Sequence, residues 1–207
     1  MSDEVTLYQL GPSPNSIKAR LALAFKSVPH RRVDCDPADR SVAVKLSGQP
    51  LLPVLTHGDR VIYDSYAILR YVDANWPAAP RLYAADRDVH QEIERWELFN
   101  RAELQLAVGT VFNQLFSGAP PEAAALRLAN VQLAQAALKL EAALEQGEWL
   151  VGGAPTAADL TCAPTVYYGL LQAPAGPIQA FFAEHLRLPP TYPRTRAWVE
   201  RVMQWDR

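Results

Sequence analysis

Cysteine is scarce in this chain. Its two cysteines, Cys35 and Cys162, stand far apart, with no CxxC pair and no Cys/His cluster. That excludes a disulfide framework, a structural zinc site and a dithiol redox pair, and points to a reducing, cytoplasmic setting. An excess of one charge is lacking too: 20 basic and 22 acidic residues leave a formal net charge of -2. No overall field therefore draws nucleic acid or an anionic membrane surface. No run reaches the ~18 consecutive apolar residues of a membrane-spanning helix. The opening MSDEVTLYQL has neither the basic region nor the apolar stretch of a signal or transit peptide. The four histidines, His30, His57, His90 and His185, show no ligand spacing, so no metal site is expected.

What is present is apolar material, 49% of 207 residues, enough for one large domain or two small ones. Residues 5–10 read as a strand ended by Gly11-Pro12, and 15–27 as an amphipathic helix with Ile17, Leu21, Ala24 and Phe25 inward and Lys18 and Lys26 outward. A weaker strand follows at 30–35, then a short helix at 40–47. Residues 51–55 and 60–63, joined by Thr56-His57-Gly58-Asp59, form a hairpin. The next helix is capped by Ser65, presents Ile68, Leu69 and Val72 inward, and stops at Trp76-Pro77. The order β, α, β, α, β, β, α makes an α/β domain over 1–77. Residues 78–87, rich in Pro and Ala, read as a linker. From 88 to 207 everything reads as helix, at roughly 88–116, 122–146, 156–171, 177–186 and 194–204. In 122–146, Leu126, Leu133 and Leu140 recur every seven residues, with Ala129, Ala137 and Leu144 completing a seam that suits a bundle helix or a short coiled coil.

Three local features of the first half carry chemistry. In GPSPNSIKAR a turn feeds a helix start, where unpaired N–H groups and the macrodipole favour an anion such as a thiolate. Ser13, Asn15 or Ser16 can cap that helix, or one of them can serve the anion. In LLPVL, Pro53 implies an edge, a bulge or a cis bond that turns the backbone of Leu52 outward, able to pair with an extended peptide. Asp64-Ser65 opens a helix whose N–H groups and Ser65 hydroxyl can hold a carboxylate, while the Asp64 side chain takes an ammonium.

Taken together, SPNSIKAR, LLPVL and YDSYAILRYV resemble the cytosolic glutathione transferases over essentially the whole chain. The resemblance implies a thioredoxin-like α/β N-terminal domain joined to an all-α helical-bundle C-terminal domain. It implies glutathione as co-substrate, a small hydrophobic electrophile as partner, and a homodimer. Ser13 matches the serine of the theta, phi and zeta-like classes, which donates to the glutathione sulfur. Asn15 stands in a Ser-Pro-Asn segment similar to that of the nu-like proteins and shares the catalytic assignment. Leu52 and Pro53 would meet the cysteinyl group, and Asp64 and Ser65 the γ-glutamyl end. Tyr8 is one residue out of register with the tyrosine classes. Leu51 departs from the Gln or Lys usual two residues before the proline, which leaves Lys45, Gln49 or another residue for the glycyl carboxylate. In the second half LVGGAPTAADL resembles the family's folding motif, with Thr156 and Asp159 as a capping box, and TYPRTRAWVERV its C-terminal signature, with Trp198 and Val202 inward. The electrophile pocket is expected beside Pro12-Ser13 and the first long helix of the second domain, with Phe99, Glu103, Val108, Phe112 and Phe116 as candidate lining. A glutathione-dependent disulfide reductase and a non-catalytic binding module are the alternatives.

Overall fold

A computed structural model describes residues 4–78 and 80–206. It divides the chain into two units, Met1–Ala84 with Trp205–Arg207, and Ala85–Gln204.

The first unit is built on β1 (Val5–Gln9), α1 (Pro14–Phe25), β2 (Arg31–Asp34), α2 (Ser41–Ser47), β3 (Val54–His57), β4 (Arg60–Tyr63) and α3 (Ser65–Asn75). Its sheet has the order β2-β1-β3-β4, with β1 and β2 parallel and the remaining pairs antiparallel. Period-two alternation decides which side chains go where. Leu7 pairs with Leu55, both fully buried, while the neighbouring Tyr8–Val54 pair packs with Leu52 and with Ala43 of α2. Tyr8 is thus bound into an apolar cluster.

Two expectations for α1 are corrected. Lys18 and Lys26 do not face outward: Lys18 is wholly buried, and the Lys26 ammonium donates to Asp73 Oδ1 at 3.0 Å and to the carbonyls of Ala78 and Pro80. The stretch after Trp76-Pro77 is likewise more than a tether. Leu82 and Tyr83 are buried, and their N–H groups donate to the Asp73 carboxylate at 2.9 and 3.2 Å. The division between units accordingly falls after Ala84. Residues 51–53 also lie outside the strand, which starts at Val54, because the proline offers no N–H to a ladder.

The second unit holds α4 (Arg87–Phe99), a π turn (Asn100–Leu104), α5 (Gln105–Phe116), α6 (Ala123–Ala143), α7 (Ala157–Val166), a 3-10 segment (Tyr167–Leu170), α8 (Pro177–His185) and α9 (Pro193–Met203). The helix expected over 88–116 is therefore interrupted by a wider turn. The one expected over 156–171 ends at Val166, shortly after Pro164, which supplies no N–H to the last turn. Gly169 follows where chains press together: a Cβ there would lie 2.9 Å from Leu188 Cγ and 3.1 Å from Leu133 Cδ2. The seam of α6 is buried inside this unit, Leu133, Leu140, Ala129 and Ala137 completely, so it serves the bundle rather than a coiled coil.

The start of α7 is closed by its own side chains. Thr156 Oγ1 accepts from Ala158 N, and Asp159 Oδ2 accepts from Thr156 N at 2.8 Å, closing the capping box. Asp159 Oδ1 accepts from Leu150 N and from Trp198 Nε1 at 2.8 Å, which joins α7 to α9. Burial pushes the Asp159 carboxyl up, against the pull of these donors. Trp198 and Val202 are fully buried. Glu141 of α6 caps α9 in the same spirit, accepting from Thr195 N and Oγ1 at 2.8 Å and from Arg194 N at 3.1 Å. Among the described residues no helix is long and apolar enough to cross a membrane.

Candidate active site

The loop between β1 and α1 is held from three directions. Ser13 N donates to Leu10 O at 3.0 Å, closing a turn. Leu10 N in turn donates to the buried Ser16 Oγ at 3.2 Å. Arg20 then reaches back past the helix start, its Nη1 donating to Gln9 Oε1 at 2.9 Å and to Gly11 O at 3.0 Å. The other side of that guanidinium takes the Asp206 carboxylate in a two-pronged pair.

The result sets Ser13 as the N-cap of α1, with extended backbone and with Pro14 at the first helical position. Its hydroxyl, half-buried, makes no capping hydrogen bond. Ser16, one of the three expected caps, instead fastens the strand end, which leaves the N-cap position to Ser13. A thiolate there would meet a hydroxyl donor and the positive end of α1.

Asn15 connects this segment to α3. Its Oδ1 accepts from Lys18 Nζ at 3.0 Å and lies 3.5 Å from Ser65 Oγ. Asn15 and Ser65, fifty positions apart in the chain, thus meet. The cap of α3 is Asp64, not Ser65: the Asp64 carboxylate accepts from Tyr66 N at 2.8 Å and Ala67 N at 3.3 Å, while Ser65 is the first helical residue and is buried. Asp64 holds φ at 68°, a conformation that side chains with a Cβ rarely adopt and that clusters at ligand clamps.

The peptide bond between Leu52 and Pro53 is cis, one of the three forms expected of that proline. Both residues are buried, while Leu51 is 71% exposed. Of the two candidates for a glycyl carboxylate, Gln49 is already engaged. Its Oε1 accepts from Leu51 N at 2.7 Å, and its Nε2 donates to Leu51 O and to Ser47 Oγ. Lys45 stays exposed in the last turn of α2.

Sequence reasoning missed Lys18, Arg20 and Tyr66. Lys18 had a signal in its i, i+3 spacing from Asn15, which puts the two on one helix face. Its ammonium also lies over the Tyr66 ring, 4.8 Å from the centroid. Arg20 had none, since its carboxylate partner comes 186 positions later.

Neither cysteine enters the site. Burial pushes the Cys35 thiol up, making it a poor nucleophile, and Cys162 is fully buried. No cluster of His, Cys, Asp or Glu able to hold a metal occurs among the described residues.

The five candidate lining residues all belong to the helical unit. Glu103 is paired with Lys139 at 2.6 Å, and the same ammonium lies over the Phe99 ring. Val108 is buried, and Phe112 and Phe116 pack against each other near the surface with centroids 4.6 Å apart. A groove of about 560 Å³ in this unit has a different lining, including Leu171, Ala183, Arg187 and Arg196.

Comparison with known proteins decides what this architecture is. Residues 7–80 match the model of the glutathione S-transferase N-terminal domain, and residues 123–201 match that of the glutathione S-transferase C-terminal domain. The chain belongs to the glutathione S-transferase family. The enzyme class and the use of glutathione as co-substrate are those of the family. Glutathione S-transferase U12 of Arabidopsis thaliana is 29% identical over 199 residues, 91% of this chain and 73% of that protein. Glutathione S-transferase U13 of the same plant is 36% identical over 89 residues, 41% of this chain and 39% of that protein. Among solved structures, poplar glutathione transferase F1 superposes with a TM-score of 0.79 at 19% identity, covering 99% of this chain and 96% of its own. The glutathione transferase URE2P8 from Phanerochaete chrysosporium, crystallised with oxidized glutathione, also gives a TM-score of 0.79, at 20% identity, covering 99% and 91%. At such identities the structural likeness speaks for the fold, a thioredoxin-like sheet unit followed by a helical unit.

Proposed function

We propose that this chain is a serine-type glutathione transferase in which Ser13 and Asn15 serve the glutathione sulfur. The observation that carries the reading is the state of the Ser13 hydroxyl. It sits at the N-cap of α1 and makes no capping bond, while the neighbouring Asn15 reaches Ser65 at the start of α3. One small region thereby offers donors for a thiolate and groups for an amino-acid end.

In this reading Ser13 donates its O–H to sulfur and the N-terminus of α1 adds partial positive charge, so thiolate is favoured over thiol. A hydrogen bond to a charged group contributes ~1–3 kcal/mol, a tenfold to hundredfold change in ionised fraction. The thiol proton passes to water. The thiolate then forms a carbon–sulfur bond with a small hydrophobic electrophile, either by addition or with departure of a leaving group. The backbone of Leu52, held by the cis bond to Pro53, pairs with the cysteinyl group as an added strand would. The γ-glutamyl carboxylate meets the backbone N–H of Ser65 at the start of α3, and its ammonium meets Asp64. Lys45 takes the glycyl carboxylate in place of the missing Gln or Lys at Leu51.

The roles of the two units in this reading are that the sheet unit, which runs through Ala84 and includes the chain end from Trp205, binds glutathione, and the helical unit, Ala85–Gln204, carries the hydrophobic substrate site. The free state of both cysteines suits a reducing cytoplasm. A second copy of the chain would cover large apolar side chains that the helical unit exposes, Leu98, Leu106, Phe116 and Leu138 among them. A homodimer by light scattering is the expected result.

The test of the reading is conjugation of a generic aryl halide with glutathione. Turnover by the purified protein, lost in Ser13→Ala while retention on immobilised glutathione persists, is the expected outcome. Retention without turnover in the unaltered protein would make it a binding module.

A further inference from the structure

Lys18 is wholly buried, an unusual place for an ammonium, which the interior tolerates only with partners. Those partners include Asn15 Oδ1 at 3.0 Å, one turn earlier on α1, and the face of the Tyr66 ring on α3, 4.8 Å from its centroid. Resting on the reading of Ser13 and Asn15 as the groups at the glutathione sulfur, we propose that Lys18 is a positioning residue. It turns the Asn15 amide so that the N–H groups of that amide, and not its oxygen, face the thiolate.

The argument is one of donor and acceptor inventory. An ammonium has three donors and no acceptor, while an asparagine amide has an oxygen on one arm and two N–H donors on the other. The arm that meets Lys18 must therefore be the oxygen. A flipped amide would set NH2 against a buried cation, two sets of donors with nothing between them. Ser65 acts in the same sense, with its hydroxyl 3.5 Å from that oxygen. Both N–H bonds of Asn15 are thereby directed away from Lys18 and Ser65, and Asn15 itself is only half-buried. The chain ammonium, amide oxygen, amide N–H, sulfur is polarised in one direction, and each bond in it strengthens the next. An asparagine without such an anchor would present its oxygen to the thiolate about as readily as its N–H groups, and repel it.

The experiment reads the ionisation of bound glutathione through thiolate absorbance in the near ultraviolet against pH. In the unaltered protein the bound thiol should titrate below free glutathione. If it does not, the reading of Ser13 and Asn15 fails before any variant is made. In Lys18→Met the thiol should titrate about one pH unit higher, a loss of thiolate of about fivefold at the original midpoint and about tenfold well below it. Affinity for S-methylglutathione, which has no thiol to ionise, should change by less than about threefold, whereas a purely structural loss would weaken both ligands together. Because Lys18 acts through Asn15, the shift should vanish when Lys18→Met is made on an Asn15→Leu background. The same shift on both backgrounds, or none on either, overturns the proposal. Should Lys18→Met fail to fold, the unaltered protein still decides it by NMR. The Asn15 side-chain N–H resonances should move as the bound thiol titrates, and resonances that stay fixed overturn the proposal.

Discussion

Two helix starts in this molecule differ in how far their polar groups are answered. At α7 the cap is closed on itself: Thr156 and Asp159 satisfy each other's neighbours, and the remaining oxygen of Asp159 gathers Leu150 N and Trp198 Nε1. At α1 the capping position is filled by Ser13, yet its hydroxyl makes no capping bond. Similar residue types at similar positions therefore do opposite work. A closed cap holds a fold together, and an open one is free to meet a ligand, since an N-terminus with unanswered donors is an anion site in waiting.

The largest test of this contrast is to open the closed cap. Asp159→Ala would strand three buried N–H groups and the Thr156 hydroxyl, each N–H costing about 1–3 kcal/mol, and is expected to lower stability by ~3–5 kcal/mol in chemical denaturation. A loss under ~1 kcal/mol would mean that water or a shifted backbone serves those donors as well.

Ser13→Ala is the counterpart at the open cap. Conjugation should fall tenfold to a hundredfold with the unfolding midpoint unmoved, because no cap bond is removed. A stability loss like that of a true cap would erase the distinction.

Asp64 lies between the two cases. It caps α3 through Tyr66 N and Ala67 N and is also assigned the ammonium of glutathione. Asp64→Asn keeps an acceptor but drops the charge, so glutathione binding should weaken about tenfold with little change in stability. Asp64→Ala should add ~1 kcal/mol of destabilisation. Equal behaviour of the two variants in calorimetry would show that the cap contributes nothing.

The smallest effect is expected at the cap of α9. Burial pushes Glu141 up, but bonds from Thr195 and Arg194 outweigh it, and the carboxyl lies below the ordinary glutamate value. A carboxylate held lower in the folded than in the unfolded chain contributes stability that is present above the unfolded value and lost as pH falls through the folded one. Thermal midpoints should therefore drop on acidification below about pH 4.5, and drop less steeply in Glu141→Gln.

The same contrast explains what could be read in advance. Caps, prolines and capping boxes are local chemistry, and Thr156 with Asp159 is legible from its spacing; Leu52-Pro53 offered the cis form as one of three, and the cap of α3, expected at Ser65, is Asp64. The apolar seam of α6 was legible because periodicity is local too. Lys18 and Lys26 were misplaced for the converse reason. Their partners, Tyr66 on one hand and Asp73 on the other, are brought to them only by packing of α3 against α1. The stretch before Ala84 looked like a tether because nothing in it announces that Asp73 will collect the N–H groups of Leu82 and Tyr83. Gln49 has the chemistry of a ligand group, but its amide closes its own turn.

Arg20 has one more consequence. It braces the loop before Ser13 through Gly11 O, and its own counter-charge is Asp206, with Trp205 stacked edge-on against Phe25 beside it. The sheet unit is therefore not a contiguous piece of chain. During synthesis the first 84 residues leave the ribosome well before residue 206, so the Arg20 guanidinium meets its carboxylate only once nearly the whole chain has been made.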